Sequence, residues 1–273
     1  MRTFLCWMGG KSKMAKKILP YFPEHYCYVE PYGGGAGLLF AKTPSPVEVY
    51  NEINSDLHNL FYQTRNNGDE LKRLIYYTDY GRETYDETSE YLRSNNWENP
   101  LERARAFYAS VHMSFSGVPH NGHRLSCSRA DAPAWANKSN HFDEFIERIR
   151  CVSLEKMDAL EIIPRFDKPN TFIYADPPYV KETRTSTKIY EHEYTTEDHI
   201  KLLQTITECK QAKIMLSGYP NKLYDKHLKD WKTITFNVKK SSSRNSGKIK
   251  PMATEQLWMN YEPFVDIFEE YLD

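Results

Sequence analysis

Cysteine is scarce. Five stand in 273 residues, at Cys6, Cys27, Cys127, Cys151 and Cys209, an odd number with no C-x-x-C pair. That excludes a disulfide-built scaffold and argues against a zinc site; it points to a reducing, cytoplasmic compartment with free thiols and no bound metal. No window approaches the roughly 20 apolar residues that a membrane span needs. The opening MRTFLCWMGGKSK carries only a short apolar run before its lysines, so no signal peptide is expected. Charge of one sign is also missing. A net charge of −1 neither demands nor excludes a nucleic-acid partner, and local charge has to decide. There are no repeats and no low-complexity tract. No G-x-x-x-x-G-K-[ST] loop occurs, and no good G-x-G-x-x-G, so nothing points to ATP or NAD.

What is present is a core-forming composition. Hydrophobic residues make up 40% and charged residues 27%, within the globular range. Twenty tyrosines contribute to an aromatic content of 14%. Core packing is the plainer reading of those rings, and a stacking surface for bases the sharper one. YCYVE (26–30) reads as a buried strand ending on an acid, followed by PYGGGAG and by LLFAK, which reads as a helix start. VEVYNEI (47–53) is a second strand. Asn54 or Ser55 can cap the helix DLHNLFYQTR, with Leu57, Leu60 and Phe61 on one face. From about 66 to 150 the chain turns polar and rich in Tyr, Asn and Arg, which marks an inserted lobe. Within it Asn99-Pro100 starts a helix with Leu101, Ala104, Tyr108 and Val111 on one stripe. SFSGVPHNGHRLS then reads as a loop or hairpin. The α/β rhythm resumes with CVSLEKM and TFIYADPPY. Thr195 or Thr196 caps a helix over 197–211 with Ile200, Leu203, Ile206 and Thr207 inward. KIMLSGY is another strand, and WKTITFNVKK and EQLWMNY form a late antiparallel pair. Alternating strands and helices predict a mostly parallel sheet with helices on both faces.

In such sheets ligands bind at the carboxyl ends of the strands. Two strand ends stand out. VEPYGGGAG places glycines where backbone can approach a ligand closely, although a tight turn with nothing bound has the same pattern. About 20 residues on, Glu52 ends the second strand, where an acid typically takes ribose hydroxyls. A nucleoside-containing ligand without a phosphate requirement fits, and S-adenosyl-L-methionine is one. At the other end, Asp176-Pro177-Pro178-Tyr179 closes a core strand on an acid and freezes the residues after it.

These segments together resemble the Dam-type (D12 class) DNA adenine-N6 methyltransferases. WMGGKSKMAKKILPYFP (7–23) is similar to their N-terminal block. YVEPYGGGAGLLF (28–40) resembles the F-V-E-P-F-G-G-G-G motif, and NEINSDLHNLF (51–61) the D-I-N-x-D-L block, with Glu52 where Asp is usual. MDALEII, ADPPY, LSGY and EQLWMNY follow in the family's order. The resemblance implies a Rossmann-like methyltransferase sheet, with residues 1–65 and 151–273 as the catalytic domain. Residues 66–150 would then be an inserted, mainly helical target-recognition domain that binds DNA. It further implies that Trp7 and Lys11 contact S-adenosyl-L-methionine and that Glu30 and Gly33, Gly34 and Gly35 form its methionine pocket. Glu52 would hold the ribose, and Met157 and Asp158 would lie at the adenine. Asp176, counted with the cofactor residues as well, would form the catalytic site with Pro177, Pro178 and Tyr179.

The chemistry asks for that turn. An adenine N6 amine is a poor nucleophile because its lone pair is delocalised into the ring. The Asp176 carboxylate and the Pro177 carbonyl can localise and orient the pair, and the prolines place those acceptors in advance. Tyr179 offers a ring to a base flipped out of double-stranded DNA. Basic residues near the turn, Lys181 and Arg184, and in the loop SSSRNSGKIKP, Arg244, Lys248 and Lys250, fit phosphate contacts, and Arg124 fits a base-reading arginine. RNA adenine or cytosine-N4 methylation would use the same acceptors. A catalytically silent DNA-binding protein is disfavoured by the intact turn, and a dehydrogenase by the missing phosphate loop.

Overall fold

The computed structural model describes residues 3–7, 9–125, 130–181, 193–239 and 252–264. Its centre is a seven-stranded mixed sheet, flanked by helices, with strand order β3-β2-β1-β4-β5-β7-β6. The strands are β1 Cys27–Glu30, β2 Val47–Asn51, β3 Ser153–Glu155, β4 Thr171–Ala175, β5 Lys213–Gly218, β6 Lys232–Lys239 and β7 Met252–Met259. β1 runs parallel to β2 and to β4, and β4 parallel to β5. β7 is antiparallel to β6, as the late pair in the sequence predicts, and also to β5. The topology explains the placement of ligand chemistry. From β1 the chain moves outward to β2, whereas from β4 it moves outward the other way to β5. The carboxyl ends of β1 and β4 therefore flank the switch point of the sheet, where open α/β sheets hold their ligands. Glu30 ends β1, and Asp176 follows β4 directly.

The chain packs as two compact units. One comprises Met14–Gly33, Pro44–Asn51 and Met157–Asp273. Its helices are α1 Ala15–Ile18, α8 Ala159–Arg165, α9 Thr196–Glu208 and α10 Lys222–His227. Its core is the apolar face of the sheet against α8 and α9: Val29, Val49, Ile173 and Ile214 meet Ile162, Ile163, Leu202, Leu203 and Ile206. β4 is buried along its whole length, which is why TFIYA is a continuous apolar run and not an alternating one. Fully burying each such side chain stabilises the fold by about 1.5–3 kcal/mol. α9 starts with a complete capping box between Thr195 and Asp198 and ends at Glu208, three residues before the expected 211. Its buried face is His199, Leu202, Leu203 and Ile206, so Ile200 and Thr207 flank the inward stripe instead of sharing it.

The other unit comprises Met1–Lys13, Gly34–Thr43 and Glu52–Lys156. It contains α2 Ser55–Asn66, α3 Gly68–Tyr76, α4 Arg82–Arg93, α5 Pro100–Met113, α6 Asp131–Ala136 and α7 Phe142–Arg150. Asn54 caps α2 and Asn99 caps α5, both through side-chain oxygens that accept N–H bonds three residues on. Phe4 sits 1% exposed at the centre of the core, with ring centroids of Phe40, Phe61, Tyr108, Phe142 and Phe145 between 4.8 and 5.7 Å away. Here the aromatics are core, as the plainer reading has it. The polar character of the segment does not mark irregular structure. Arg103 on α5 is buried, yet it donates to both Asp56 oxygens and to the Leu92 and Asn96 carbonyls. LLFAK does not begin an α-helix. Ala36 has φ +52 and Pro44 follows closely, so Leu38–Lys42 forms turns closed by Phe40 N–H to Ala36 O and Lys42 N–H to Leu38 O. In SFSGVPHNGHRL (114–125), Ser114 bridges antiparallel to His123, as a hairpin would.

Candidate active site

The sheet-bearing unit brings several of the sequence-predicted residues to the switch point. Asp176 follows the last residue of β4 and is half-buried. Its Oδ1 accepts a 2.8 Å bond from the Ser217 hydroxyl, and Ser217 in turn accepts a 3.0 Å bond from the Tyr174 hydroxyl. Pro177 is buried and Pro178 half-buried. Tyr179 is nearly buried, at 9% exposure. Its hydroxyl donates to Glu255 Oε1 on β7, and its ring meets Tyr219 edge-on at 4.6 Å. The ring is thus anchored at its tip and along one side. At the end of β1, Glu30 is buried and accepts a 2.6 Å bond from Tyr28.

The electrostatics follow from this crowding of acids. Burial pushes the Tyr174 phenol well above its ordinary range, and the charges of Asp176, Glu255 and Glu30 push it further. Burial likewise raises Tyr179, with Asp176 and Glu255 adding to it. Both phenols remain protonated donors. An edge rich in carboxylates suits a ligand or transition state that carries positive charge.

Asn51, the last residue of β2, is 1% exposed. Its amide nitrogen donates to Pro31 O at 2.8 Å and Met157 O at 3.0 Å, while its oxygen accepts the Met157 N–H at 2.9 Å. One side chain therefore ties the turn after β1 to the Met157-Asp158 segment. Asp158 caps α8, accepting the Leu160 N–H at 2.8 Å, and is exposed. Gly33 shows why a glycine is needed: a Cβ there would lie 2.2 Å from the Tyr50 ring.

In the helical unit, Gly34 has φ +48 and a Cβ on Gly35 would lie 2.8 Å from Trp7 Cβ. Protein side chains, Tyr50 and Trp7, thus occupy the space that glycine vacates at Gly33 and Gly35. Glu52 uses both carboxylate oxygens on backbone: Oε2 accepts the Gly34 N–H at 2.9 Å and Oε1 the Asn54 N–H at 2.8 Å. A carboxylate is acceptor-only, the chemistry that ligand hydroxyls require. Trp7 is half-buried against Phe107, with ring centroids 5.8 Å apart. Lys11 is 6% exposed, which excludes a solvated surface charge, and its Nζ donates to Gly9 O at 3.2 Å. Arg124 is engaged with protein: Nε lies 3.3 Å from Asp131 Oδ1 and Nη2 donates to His112 O at 3.2 Å. Lys181 is exposed just after the Asp-Pro-Pro-Tyr turn. Arg184, Arg244, Lys248 and Lys250 lie outside the described residues. Ser217, Tyr174, Asn51, Tyr219 and Glu255 have no individual role in the sequence reading. Ser217, Tyr219 and Glu255 do fall inside the LSGY and EQLWMNY blocks, but a block does not say which side chain touches which.

A mostly parallel sheet with an acid turn after β4 and a glycine turn after β1 is the frame of an α/β enzyme working at its carboxyl edge. A family model described as D12 class N6 adenine-specific DNA methyltransferase matches residues 7–243. The type II methyltransferase M1.LlaDCHI of Lactococcus lactis subsp. cremoris is 29% identical over 282 residues, covering 96% of each chain. The DNA adenine methylase of Haemophilus influenzae is 26% identical, covering 90% of each chain. That of Escherichia coli K12 is 24% identical, covering 97% of this chain and 96% of its own. The chain belongs to the D12 class N6 adenine-specific DNA methyltransferase family. Its activity is methylation of adenine in DNA.

Proposed function

We propose that the protein transfers a methyl group from S-adenosyl-L-methionine to N6 of an adenine rotated out of double-stranded DNA, with Asp176 and the Pro177 carbonyl as acceptors for the target amine. The observation that carries this reading is the Asp176 carboxylate, held by Ser217 at the carboxyl end of β4 beside the switch point. When bound, S-adenosyl-L-methionine supplies an electrophilic methyl on a sulfonium sulfur. Trp7, Lys11, Glu30, Gly33 to Gly35, Glu52, Met157 and Asp158 are the residues that would hold it. The chain's chemistry suits that group: Glu52 is a carboxylate beside the glycine turn, an acceptor of the kind ribose hydroxyls need, and the acidic edge around Tyr174 suits a cation.

The protein's own part is positional. Asp176 and the Pro177 carbonyl accept the two amine hydrogens, which turns the nitrogen lone pair out of conjugation and stabilises the positive charge that grows during attack. Pro177 and Pro178 hold the backbone, so the acceptors need no reordering. The anchored Tyr179 ring meets the extruded base. Residues 66–150 supply target recognition, with Arg124 reading a base edge, and Lys181 and the basic residues beyond the described segments contact phosphates. Asp176→Ala tests the centre of the proposal. Single-turnover transfer of a labelled methyl group to duplex DNA, followed by nucleoside analysis, should fall by about 10²–10³-fold, the loss typical of one preorganised electrostatic group. A rate within a few-fold of wild type would end it.

A further inference from the structure

The two prolines fix the backbone of the acid turn, but they leave the Asp176 side chain to be oriented by something else. The terminal torsion of an aspartate is broad and roughly two-fold, so its carboxylate swings unless it is held. The structure supplies a hold from the next strand. β5 runs beside β4 with Ala175 opposite Leu216, which brings Ser217 alongside Asp176. Ser217 is wholly buried, and its hydroxyl lies 2.8 Å from Asp176 Oδ1. Behind it the Tyr174 hydroxyl, on a residue 3% exposed, lies 3.0 Å from Ser217 Oγ.

The polarity of this chain of hydroxyls is set by chemistry. An ionised carboxylate only accepts, so Ser217 must donate to it. Serine has one hydroxyl proton, so Tyr174 must then donate to Ser217. Tyr174 is suited to that direction, since burial and the neighbouring acids keep its phenol protonated. A donor that itself receives a hydrogen bond is polarised and donates more strongly.

We infer that Ser217, backed by Tyr174, is a positioning residue of the methyl-transfer site, fixing the plane of the Asp176 carboxylate and so the direction in which it meets the target amine. The inference rests on the proposed role of Asp176. A purely architectural role is the competing explanation, because the same bonds also tie β4 to β5. The two differ in what they predict. The backbone ladder already joins these strands through Ile173↔Ile214 and Tyr174↔Met215. Loss of one hydroxyl should therefore leave the fold and the cofactor site intact, while a misdirected acceptor slows the chemical step.

The test measures single-turnover methyl transfer to duplex DNA at saturating cofactor, together with dissociation constants for S-adenosyl-L-methionine and DNA and thermal stability, for six forms of the full chain. These are wild type, Ser217→Ala, Ser217→Thr, Tyr174→Phe and the Ser217→Ala/Tyr174→Phe double variant, with Asp176→Ala as the reference. Ser217→Ala should slow the chemical step by about 10–100-fold, in keeping with the sensitivity of catalysis to small misplacements. Both dissociation constants should stay within about two-fold of wild type. Ser217→Thr, which keeps a hydroxyl, should recover most of the rate. Tyr174→Phe deletes a single oxygen and should cost less than Ser217→Ala, and the double variant should be no slower than Ser217→Ala alone, because the two act in series. A Ser217→Ala rate equal to wild type beside an inactive Asp176→Ala would overturn the inference and leave the role of Asp176 standing. Loss of cofactor affinity and thermal stability in step with the rate would show an architectural role and overturn it as well. Full activity of Asp176→Ala would remove the proposed function and this inference together.

Discussion

Asn51 offers the most direct test of how the fold builds its site. Its amide makes three bonds: both N–H groups donate, to Pro31 O and Met157 O, and its oxygen accepts the Met157 N–H. At a net 0.5–1.5 kcal/mol per bond, Asn51→Ala should destabilise the fold by roughly 1.5–4.5 kcal/mol. Asn51→Asp preserves the shape but not the chemistry. Ionised, it keeps the Met157 N–H bond and turns a negative oxygen toward two carbonyls at 2.8 and 3.0 Å. The introduced carboxyl should therefore have a folded-state pKa raised above its unfolded value of about 3.9. The sign follows. Between those two values the folded state holds one more proton than the unfolded state, so stability falls as pH rises, by about 1.4 kcal/mol per pH unit. Above the raised pKa the deficit is complete and flat. At low pH the protonated carboxyl can donate one bond, and the deficit shrinks towards that of a single lost hydrogen bond, about 1 kcal/mol. Urea unfolding of wild type and both variants from pH 4.5 to 8 reads this out. A constant difference between Asn51→Asp and wild type across that range, or an Asn51→Ala protein within about 0.5 kcal/mol of wild type, refutes the reasoning.

Further expectations follow from other side chains. Glu52→Ala removes the acceptor for the Gly34 and Asn54 N–H groups and should weaken S-adenosyl-L-methionine binding by about 1.5–3 kcal/mol, measured by calorimetry, whereas unchanged affinity would take Glu52 out of the site. His112 is buried against Tyr108 and Trp135, and burial first, then the charges of Lys138 and Arg124, depress its pKa well below 6.5. It is neutral in the fold, so its stabilisation is complete above pH 6.5 and is lost as pH falls below that towards the folded value; thermal melts of His112→Leu should lack about one proton's worth of that acid slope, and an unchanged slope would contradict it. Arg124→Ala should change the preferred DNA sequence while leaving cofactor affinity intact, with about 1–3 kcal/mol of discrimination lost at one base position; identical sequence preference in a methylation-protection screen would exclude a base-reading role.

Much of this architecture is legible along the chain because the core strands carry local signals. TFIYA is apolar at every position, and a strand covered on both faces needs nothing less. Asn54, Asn99 and Thr195 announce helix starts through cap chemistry that depends only on neighbouring residues. LLFAK fails for a complementary reason. Its apolar residues fit a helix, but the positive φ at Ala36 and the nearby Pro44 leave too little room to propagate one. The polar helices of 66–150 escape a simple pattern because residues such as Arg103 are buried with polar partners, so the apolar stripe is interrupted where the helix still packs.

The site divides along the same line. Asp176 and its prolines are visible in sequence because they are consecutive, and because an acid at a strand end followed by two rigid residues has few purely structural uses. Ser217, Glu255 and Asn51 are invisible individually because each acts through a residue far away along the chain: Ser217 on Asp176, Glu255 on Tyr179, Asn51 on Pro31 and Met157. Sheet order is what brings two of these pairs together. β5 lies between β4 and β7, so a turn leaving β4 can be held by a hydroxyl from the neighbouring strand and a carboxylate from the strand beyond it. Placing the reversed strand β7 next to β5 therefore does more than close the sheet. It carries Glu255, a buried acid, to the Tyr179 hydroxyl, and the ring that is proposed to meet the target base is fixed by a residue 76 positions further along the chain.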